Sequence, residues 1–336
     1  MATATATLDR AAWTYPSGLA SALEGRLLND RATADLLHSE SPQSLVSRLR
    51  QSLVFEEVAD AADPLELGER MTECLAGFVR EFAEACPTDL LAELFLLPLE
   101  WEAFRGFLRA RLLGGETTPV PGAATPQAVW EECWRTPDLE PPFDLFAEAA
   151  AAVRTLAESE ENASHLLEGF THIYEARDLR RTAAQLHCPQ VLEWVETWLR
   201  LSLALAVLRC RFNGWGHVRA ADALDDLGVE KQRIMTLAEP ERPNWPEAFA
   251  ALGLEEAQTL APDDPRAPAT IERLVDDHMT ELVREGRGVP FGPEPVFGFL
   301  WGVRVEALNL RVIAAGVAAG APRERLAQDI RKTYVV

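Results

Sequence analysis

The chain has 336 residues, of which 48% are hydrophobic, and its 53 acidic residues outnumber its 32 basic residues to give a formal charge of −21. A chain of this length and apolar content can bury a large core, which excludes an intrinsically disordered protein. The negative charge repels phosphate groups, so we expect no nucleic acid partner and no attraction to anionic lipid, but a partner with basic or apolar surface.

The chain carries no pattern of export or of membrane insertion. Its first 18 residues lack a basic region followed by an apolar one, and its longest uncharged run, 117–130, contains three prolines. An odd number of scattered cysteines suits a reducing compartment better than a disulfide framework. We therefore expect a cytoplasmic protein without direct membrane insertion. The five cysteines are Cys74, Cys86, Cys133, Cys188 and Cys210.

Apolar residues recur at helical spacing along the whole chain, and alternating strand-like runs are almost absent. The predicted fold class is therefore all-α. Two proline-rich segments, 117–127 and 239–268, interrupt the pattern and are predicted to be joints. The predicted helices lie in chain order at 19–28, 42–55, 65–82, 87–113, 143–158, 164–186, 189–212, 270–287, 294–319 and 322–334.

A short motif recurs at an interval of about one hundred residues. FLRARLLGG at 107–115 returns as VLRCRFNGW at 207–215, and in both copies a long apolar helix ends in Leu-Arg-x-Arg before a glycine. A weaker third copy, EALNLRVIAAGVAAG at 306–320, aligns when Glu306 is set against Glu102. The interval predicts three similar helical units that bury one another's faces. Their predicted boundaries are 1–120, 121–217 and 218–336.

The predicted helix EPVFGFLWGVRVEALNLRVIAAG, 294–316, is apolar on two faces but carries polar residues between them. On a helical wheel, Arg304 and Arg311 lie on one line, and Glu306 and Asn309 lie on the far side. Buried charges without partners cost several kcal/mol, so these residues need partners or water. Two alternatives follow: a polar network that holds helices together, or the wall of a wet cavity or interface that binds a partner.

Four arginines stand at the ends of the two long helices that carry the repeated motif. Cations in the last turn of a helix interact favourably with its dipole, and partner contact is the alternative role. These weaker candidates for partner binding are Arg109, Arg111, Arg209 and Arg211.

Motifs of catalysis, nucleotide binding and metal binding are absent, so we predict no enzyme, no cofactor and no metal. One acidic stretch, VDDHMTE at 275–281, is within one residue of the motif by which all-helical terpene synthases hold Mg²⁺. Its spacing differs and the second metal motif is missing, which favours a solvated acidic helix face. A Mg²⁺-dependent terpene-synthase-like enzyme and a helical-repeat adaptor protein remain the alternative functions.

The C-terminal stretch GPEPVFGFLWGVRVEALNLRVIAAGVAAGAPRERLAQDIRKTYV, 292–335, resembles the C-terminal signature of the C/d-subunit family of V-type (A/V-type) ATPases. The resemblance rests on a Glu-Pro start, a Glu-x-x-Asn-Leu-Arg core, a glycine stop, a proline-initiated last helix and a terminal Tyr-Val. In this chain the core is Glu306, Asn309, Leu310 and Arg311. The stretch 21–57, which begins SALEGRLL, is similar to that family's opening.

The resemblance implies three helical units arranged around a pseudo-threefold axis as a funnel. It further implies a non-catalytic rotor socket, which binds central-stalk subunits on one face and the proteolipid ring of the membrane sector on the other. Such a protein is peripheral on the membrane through the ATPase complex. The chain departs from the family where the first two units commonly carry an asparagine matching Asn309: it has Arg105 in the first unit and Leu205, or the neighbouring Ser202, in the second.

Overall fold

The computed structural model describes residues 8–39, 41–49, 52–55, 58, 64–159, 163–212 and 245–336. Within these ranges no residue belongs to a β-strand, and a single isolated parallel bridge joins Asn29 to Val335. The all-α prediction is therefore confirmed. The described helices are α1 Thr14–Glu24, α2 Asp30–Leu36, α3 Pro42–Leu49, α4 Pro64–Ala83, α5 Leu90–Leu113, α6 Gln127–Arg135, α7 Asp144–Ser159, α8 Ala163–Gln185, α9 Pro189–Phe212, α10 Trp245–Ala251, α11 Ala267–Arg284, α12 Pro293–Ala318 and α13 Arg323–Asp329.

Of the two proline-rich segments predicted to be joints, the first agrees with the structure and the second does not. No helix lies in 114–126, which agrees with the first joint. The second prediction is wrong for 245–268, because this segment holds α10, a 3-10 helix at Glu255–Thr259 and the start of α11. Its prolines at 246 and 268 each occupy the second position of a helix, where a missing N–H costs no hydrogen bond. Residues 239–244 lie outside the described residues.

Three predicted helices are too long by four residues or more at their C-terminal ends. The helices predicted at 19–28, 42–55 and 322–334 end at Glu24, Leu49 and Asp329, and the first of them begins at Thr14. Residues 330–336 have no helical hydrogen bonds, and the backbone N–H groups of Arg331 and Lys332 donate instead to the side chains of Asn309 and Asp277. Tertiary hydrogen bonds have replaced the helical ones in this segment.

Three pairs of helices follow one another at nearly constant spacing. The first helices, α4, α8 and α11, start at residues 64, 163 and 267, and the second helices, α5, α9 and α12, start at 90, 189 and 293. Both series thus advance by 99 and then by 104 residues. Left-handed glycines follow α5 and α12, at Gly114 (φ 73°) and Gly320 (φ 65°), as the repeat predicts, while the glycine after α9 lies outside the described residues.

By contacts the chain divides into two compact units, each of which gathers separate stretches of sequence. We call the one that holds both ends of the chain the terminal unit and the other the central unit. The division into three helical units remains a prediction. The terminal unit is Met1–Leu96, Thr182–Val195 and Arg273–Val336, and the central unit is Leu97–Arg181 and Glu196–Glu272.

Helix α12 forms the centre of the terminal unit and packs on α1, α3 and α4. It is buried on most of its circumference, in agreement with the prediction of a helix held between neighbours. Phe299 contacts Phe78 and Phe82 of α4, with ring centroids 6.0 Å and 5.4 Å away. Gly298 and Gly302 leave room for the ring of Tyr334 in the C-terminal segment.

The central unit has an aromatic core built from α5, α6 and α7. Trp101 and Phe104 of α5 meet Trp130 of α6 and Phe146 of α7, and all four side chains are buried. The rings of Trp101 and Phe146 stack with centroids 4.1 Å apart. Stacked aromatic rings bury a large apolar area and contribute a further ~0.5–1.5 kcal/mol for each favourable pair.

Candidate functional site

The candidate site consists of four polar side chains of the otherwise apolar helix α12. They are Arg304, Glu306, Asn309 and Arg311. The helix begins at Pro293, where proline fits the first turn, and Glu294 lies near the positive end of the helix dipole. Arg10 donates to both carboxylate oxygens of Glu294, at 2.5 Å and 3.2 Å. The start of α12 is thereby anchored in the terminal unit.

Asn309 binds the extended C-terminal segment through both ends of its amide. Its Nδ2 donates to the carbonyl of Arg331 at 3.0 Å, and its Oδ1 accepts from the N–H of Arg331 at 2.8 Å. The residue is 2% exposed, so both polar atoms must be satisfied inside the protein. The paired bonds set the position of residues 330–336 along α12.

Arg304 forms an ion pair with the neighbouring helix α11. Its Nη1 donates to Asp276 Oδ1 at 3.0 Å, and its guanidinium lies 4.5 Å from the ring centroid of Trp301. The second oxygen of Asp276 accepts from Arg331 Nε at 2.6 Å. Asp276 is 3% exposed and therefore has charge-assisted partners on both oxygens.

The acidic stretch 275–281 is only in part the solvated helix face that the sequence predicts, because Glu281 is exposed but Asp276 and Asp277 are buried. Asp277, like Asp276, is 3% exposed, and it accepts from Arg273 and from the backbone N–H of Lys332. Burial raises the pKa of Asp277, against the opposing effects of Lys332 N–H and Arg273. These carboxylates face cations and a backbone donor, because α11 packs against the C-terminal segment.

Glu306 differs from its neighbours because its hydrogen-bond donors are neutral. Its Oε2 accepts from the backbone N–H of Leu28 at 2.8 Å, and its Oε1 accepts from Ser52 Oγ at 3.0 Å. Burial raises the pKa of Glu306 from 4.5 to about 7, although both hydrogen bonds act in the opposite direction. A carboxyl in this position can exchange a proton near neutral pH.

The structure links Arg304 to Asn309 through Asp276 and Arg331, bonds Glu306 separately to Leu28 and Ser52, and leaves the side chain of Arg311 exposed. A cavity beside Glu306 and Asn309 has a volume of about 10 Å³, which is close to the space of one water molecule. The three bonded residues thus have the partners expected of a polar network. Their role in binding another protein remains a prediction.

The four helix-end arginines belong to the central unit. Arg111 pairs with Glu131 and lies 5.5 Å from the ring centroid of Phe107, and Arg209 pairs with Glu272 at 2.5 Å. Arg211 is partly buried, and its Nη1 has no hydrogen-bond partner within the described part of the chain. Arg109 is exposed and precedes the last turn of α5, so the dipole explanation fits Arg111, Arg209 and Arg211 better.

Sequence reasoning missed a second polar cluster, which lies in the central unit. Arg105 is 5% exposed and donates to Glu175 at 2.7 Å and to Glu102 at 3.0 Å. Trp101 Nε1 donates to Asp178 at 3.1 Å, which joins α5 to α8 a second time. In the sequence, the only sign of this cluster is that Glu175 and Asp178 stand three positions apart on α8, which places them on one face of the helix.

Most of the chain matches one known protein family. The family model for the ATP synthase (C/AC39) subunit matches residues 16–328. The chain belongs to this family. Among curated proteins, no sequence matches the chain. In the described part of this C/AC39 family member, none of the helices combines the length and the apolar character needed to cross a membrane.

In this C/AC39 chain, the hydrogen bonds of the structure give the Glu-x-x-Asn-Leu-Arg stretch a structural role. Glu306 holds the N-terminal segments and Asn309 holds the C-terminal one. Leu310 is fully buried. The exposed Arg311 is the member of the stretch that a partner can reach.

Proposed function

We propose that this chain is a non-catalytic socket component of a V-type ATPase or ATP synthase. It couples the rotor shaft, formed by central-stalk subunits, to the proteolipid ring of the membrane sector during ion transport. The observation that carries the proposal is the family match, which covers residues 16–328 and names an ATP synthase subunit. The protein is then cytoplasmic and peripheral on the membrane through the complex.

The recurring helix pairs support a pseudo-threefold funnel. The second helix of each pair contacts the first helix of the next: α5 meets α8 through Arg105 and Glu175, and α9 meets α11 through Arg209 and Glu272. The last helix, α12, packs on the first, α4. These contacts, each within one compact unit, are those expected of a repeat in which successive helix pairs bury one another's faces. They also suit a stiff part that transmits torque, since close-packed interiors resist compression.

The chemistry of the buried groups supports a mechanical role better than a catalytic one. Asp276 of the terpene-synthase-like stretch is bound by two arginines, and in the described residues no three His, Cys, Asp or Glu side chains are placed to hold a metal ion. Burial raises the pKa of Cys133 and Cys188 to about 11, which disfavours the nucleophilic thiolate. No observation favours the enzyme or the adaptor alternative.

The test of this function is recovery of the complex. With an affinity tag on this chain in its native host, we expect central-stalk and proteolipid subunits to be recovered from solubilised membranes and identified by mass spectrometry. Recovery of neither class would overturn the proposal.

The test of the interface is Arg311→Glu, because Arg304→Glu would also break the ion pair with Asp276. We expect Arg311→Glu to lower the number of ions transported per ATP hydrolysed, with binding to the partner weakened about tenfold, or ~1.4 kcal/mol. Arg325→Glu, an exposed charge on α13, is the matched control. Unchanged coupling in Arg311→Glu would remove this residue from the interface.

A further inference from the structure

We propose that Glu306 is a pH-dependent latch, which fastens the α2–α3 segment to α12 firmly when it is protonated and weakly when it is ionised. The segment in question runs from Leu28, just before α2, to Ser52, just after α3. The latch concerns the terminal unit alone. It goes beyond the proposed function and does not depend on it.

One carboxyl holds both ends of this segment. Leu28 and Ser52 are separated from Glu306 by 278 and 254 residues in sequence, yet each donates a hydrogen bond to a different carboxylate oxygen. Ser52 Oγ also accepts from the backbone N–H of Phe55 at 3.3 Å, so residues 52–55 turn around the same hydroxyl. Movement of either end away from α12 breaks a bond to Glu306.

The charged groups on the surrounding elements have other partners. On α12, Arg304 pairs with Asp276; on the C-terminal segment, Arg331 pairs with Asp276 and the phenol of Tyr334 donates to Glu24. Asp30 of α2 accepts from Thr333, Arg48 of α3 donates to the carbonyl of Asp35, and Arg311 is exposed. Within the described residues, both oxygens of Glu306 therefore receive hydrogen bonds from neutral groups only.

Both protonation states can be hydrogen-bonded, but they differ in the cost of burial. Protonated Glu306 keeps its carbonyl oxygen on Leu28 N–H, and its O–H donates to Ser52 Oγ after the serine hydroxyl rotates. The ionised form keeps both bonds, but its charge is 5% exposed and lacks a cation among the described residues. Burying a charge in such a place is unfavourable, so ionisation favours release of the segment into water.

The direction of the pH dependence follows from the raised pKa. Because burial raises the pKa of Glu306 from 4.5 to about 7, the closed latch binds its proton more tightly than the open latch does. The protonation of Glu306 therefore stabilises the closed latch fully below about pH 4.5, and this stabilisation is lost as the pH rises through about 7. Over this window the equilibrium constant for closing falls by about two orders of magnitude.

A neighbouring cavity lies beside both residues that donate hydrogen bonds to Glu306. It has a volume of about 270 Å³ and is lined by residues of α2 and α3 together with Leu28 and Ser52. A cavity of this size holds several water molecules. When the segment moves, these waters can hydrate the ionised carboxylate and stabilise the open state.

The experiment is hydrogen exchange on the isolated full-length chain between about pH 5.5 and 8.5, comparing wild type with Glu306→Gln at each pH. Glutamine keeps an acceptor for Leu28 and a donor for Ser52, and comparison at equal pH cancels the intrinsic exchange rates. We expect the ratio of wild-type to variant exchange in α2 and α3 to rise about tenfold or more with pH. Glu324→Gln, which removes an exposed carboxylate on α13 that lines neither cavity, should retain the wild-type profile.

A ratio that stays constant with pH would overturn the latch. If Glu306→Gln does not fold, direct titration of the Glu306 carboxyl carbon by NMR in the wild type decides the question. A pKa near 7 supports the latch, and a pKa below about 5 overturns it. Both measurements use the isolated chain, so their failure is distinguishable from failure of the proposed ATPase role.

Discussion

Tyr334 lies against two glycines of α12, which makes those positions sensitive to a single added carbon. A Cβ at Gly302 would lie 2.8 Å from the Cβ and Cγ of Tyr334. A Cβ at Gly298 would lie 2.7 Å from the phenol oxygen and 2.9 Å from the backbone carbonyl of Val283. Backbone atoms in a packed interior cannot withdraw as a flexible side chain can.

We expect Gly298→Ala to lower the free energy of unfolding by about 1–3 kcal/mol, because the methyl group overpacks the contact between α11 and α12. Gly77→Ala is the matched control, since a Cβ at this helical position meets no atom within 4 Å. It should raise stability by about 0.4–1 kcal/mol. Urea denaturation followed by tryptophan fluorescence measures both, and equal effects of the two substitutions would contradict this packing argument.

The polar residues of α12 show how far sequence reasoning reaches at this scale. That these residues need partners or water follows from the apolar helix around them. The sequence does not show, however, that Arg304 pairs with Asp276 while Arg311 is exposed. These two arginines are seven residues apart and lie on the same side of the helix. Exposure along one helical face depends on where neighbouring elements lie, which periodicity does not contain.

At the scale of elements, the long helices were predicted closely, whereas the short ones were either missed or predicted with the wrong ends. Helix α9 has the predicted bounds, and α4, α5, α7, α8 and α12 differ by at most three residues at either end. The short helices α2, α6 and α10 span seven to nine residues and were not among the ten predicted helices. Short helices bury few residues on one face, so their apolar pattern is weak and tertiary packing stabilises them.

The contact between α5 and α8 gives a prediction about a buried ion pair. Arg105→Met leaves the carboxylate of Glu175, which is 12% exposed, with His172 but without its arginine partner and should lower the free energy of unfolding by about 3 kcal/mol. Adding Glu175→Leu removes the uncompensated charge and should restore most of that loss. Glu102→Ala is the control, because this partner of Arg105 is 54% exposed and should cost less than about 1 kcal/mol.

Urea denaturation of the four proteins checks this prediction. A double variant that is no more stable than Arg105→Met would show that the pair does more than neutralise a buried charge.

At the scale of the whole molecule, the formal charge of −21 predicts how the chain meets its partners. We expect the association rate with a central-stalk subunit to fall about tenfold or more when salt is raised from about 0.05 to 0.5 M, because ions screen attraction to basic loops. Stopped-flow or surface-binding kinetics measure this rate. Sucrose at matched viscosity is the control, and a rate independent of salt would contradict electrostatic docking.

The sequence by itself determined the helical class, the hundred-residue recurrence and the family. These properties follow from apolar spacing and from motifs that are local in the chain. Only the tertiary structure decided which charges of 275–281 are buried, where the last helix ends, and that Glu306 holds Leu28 and Ser52 from more than 250 residues away. These features depend on hydrogen bonds between groups remote in sequence, and a local pattern shows that such groups need partners without showing which partners they find.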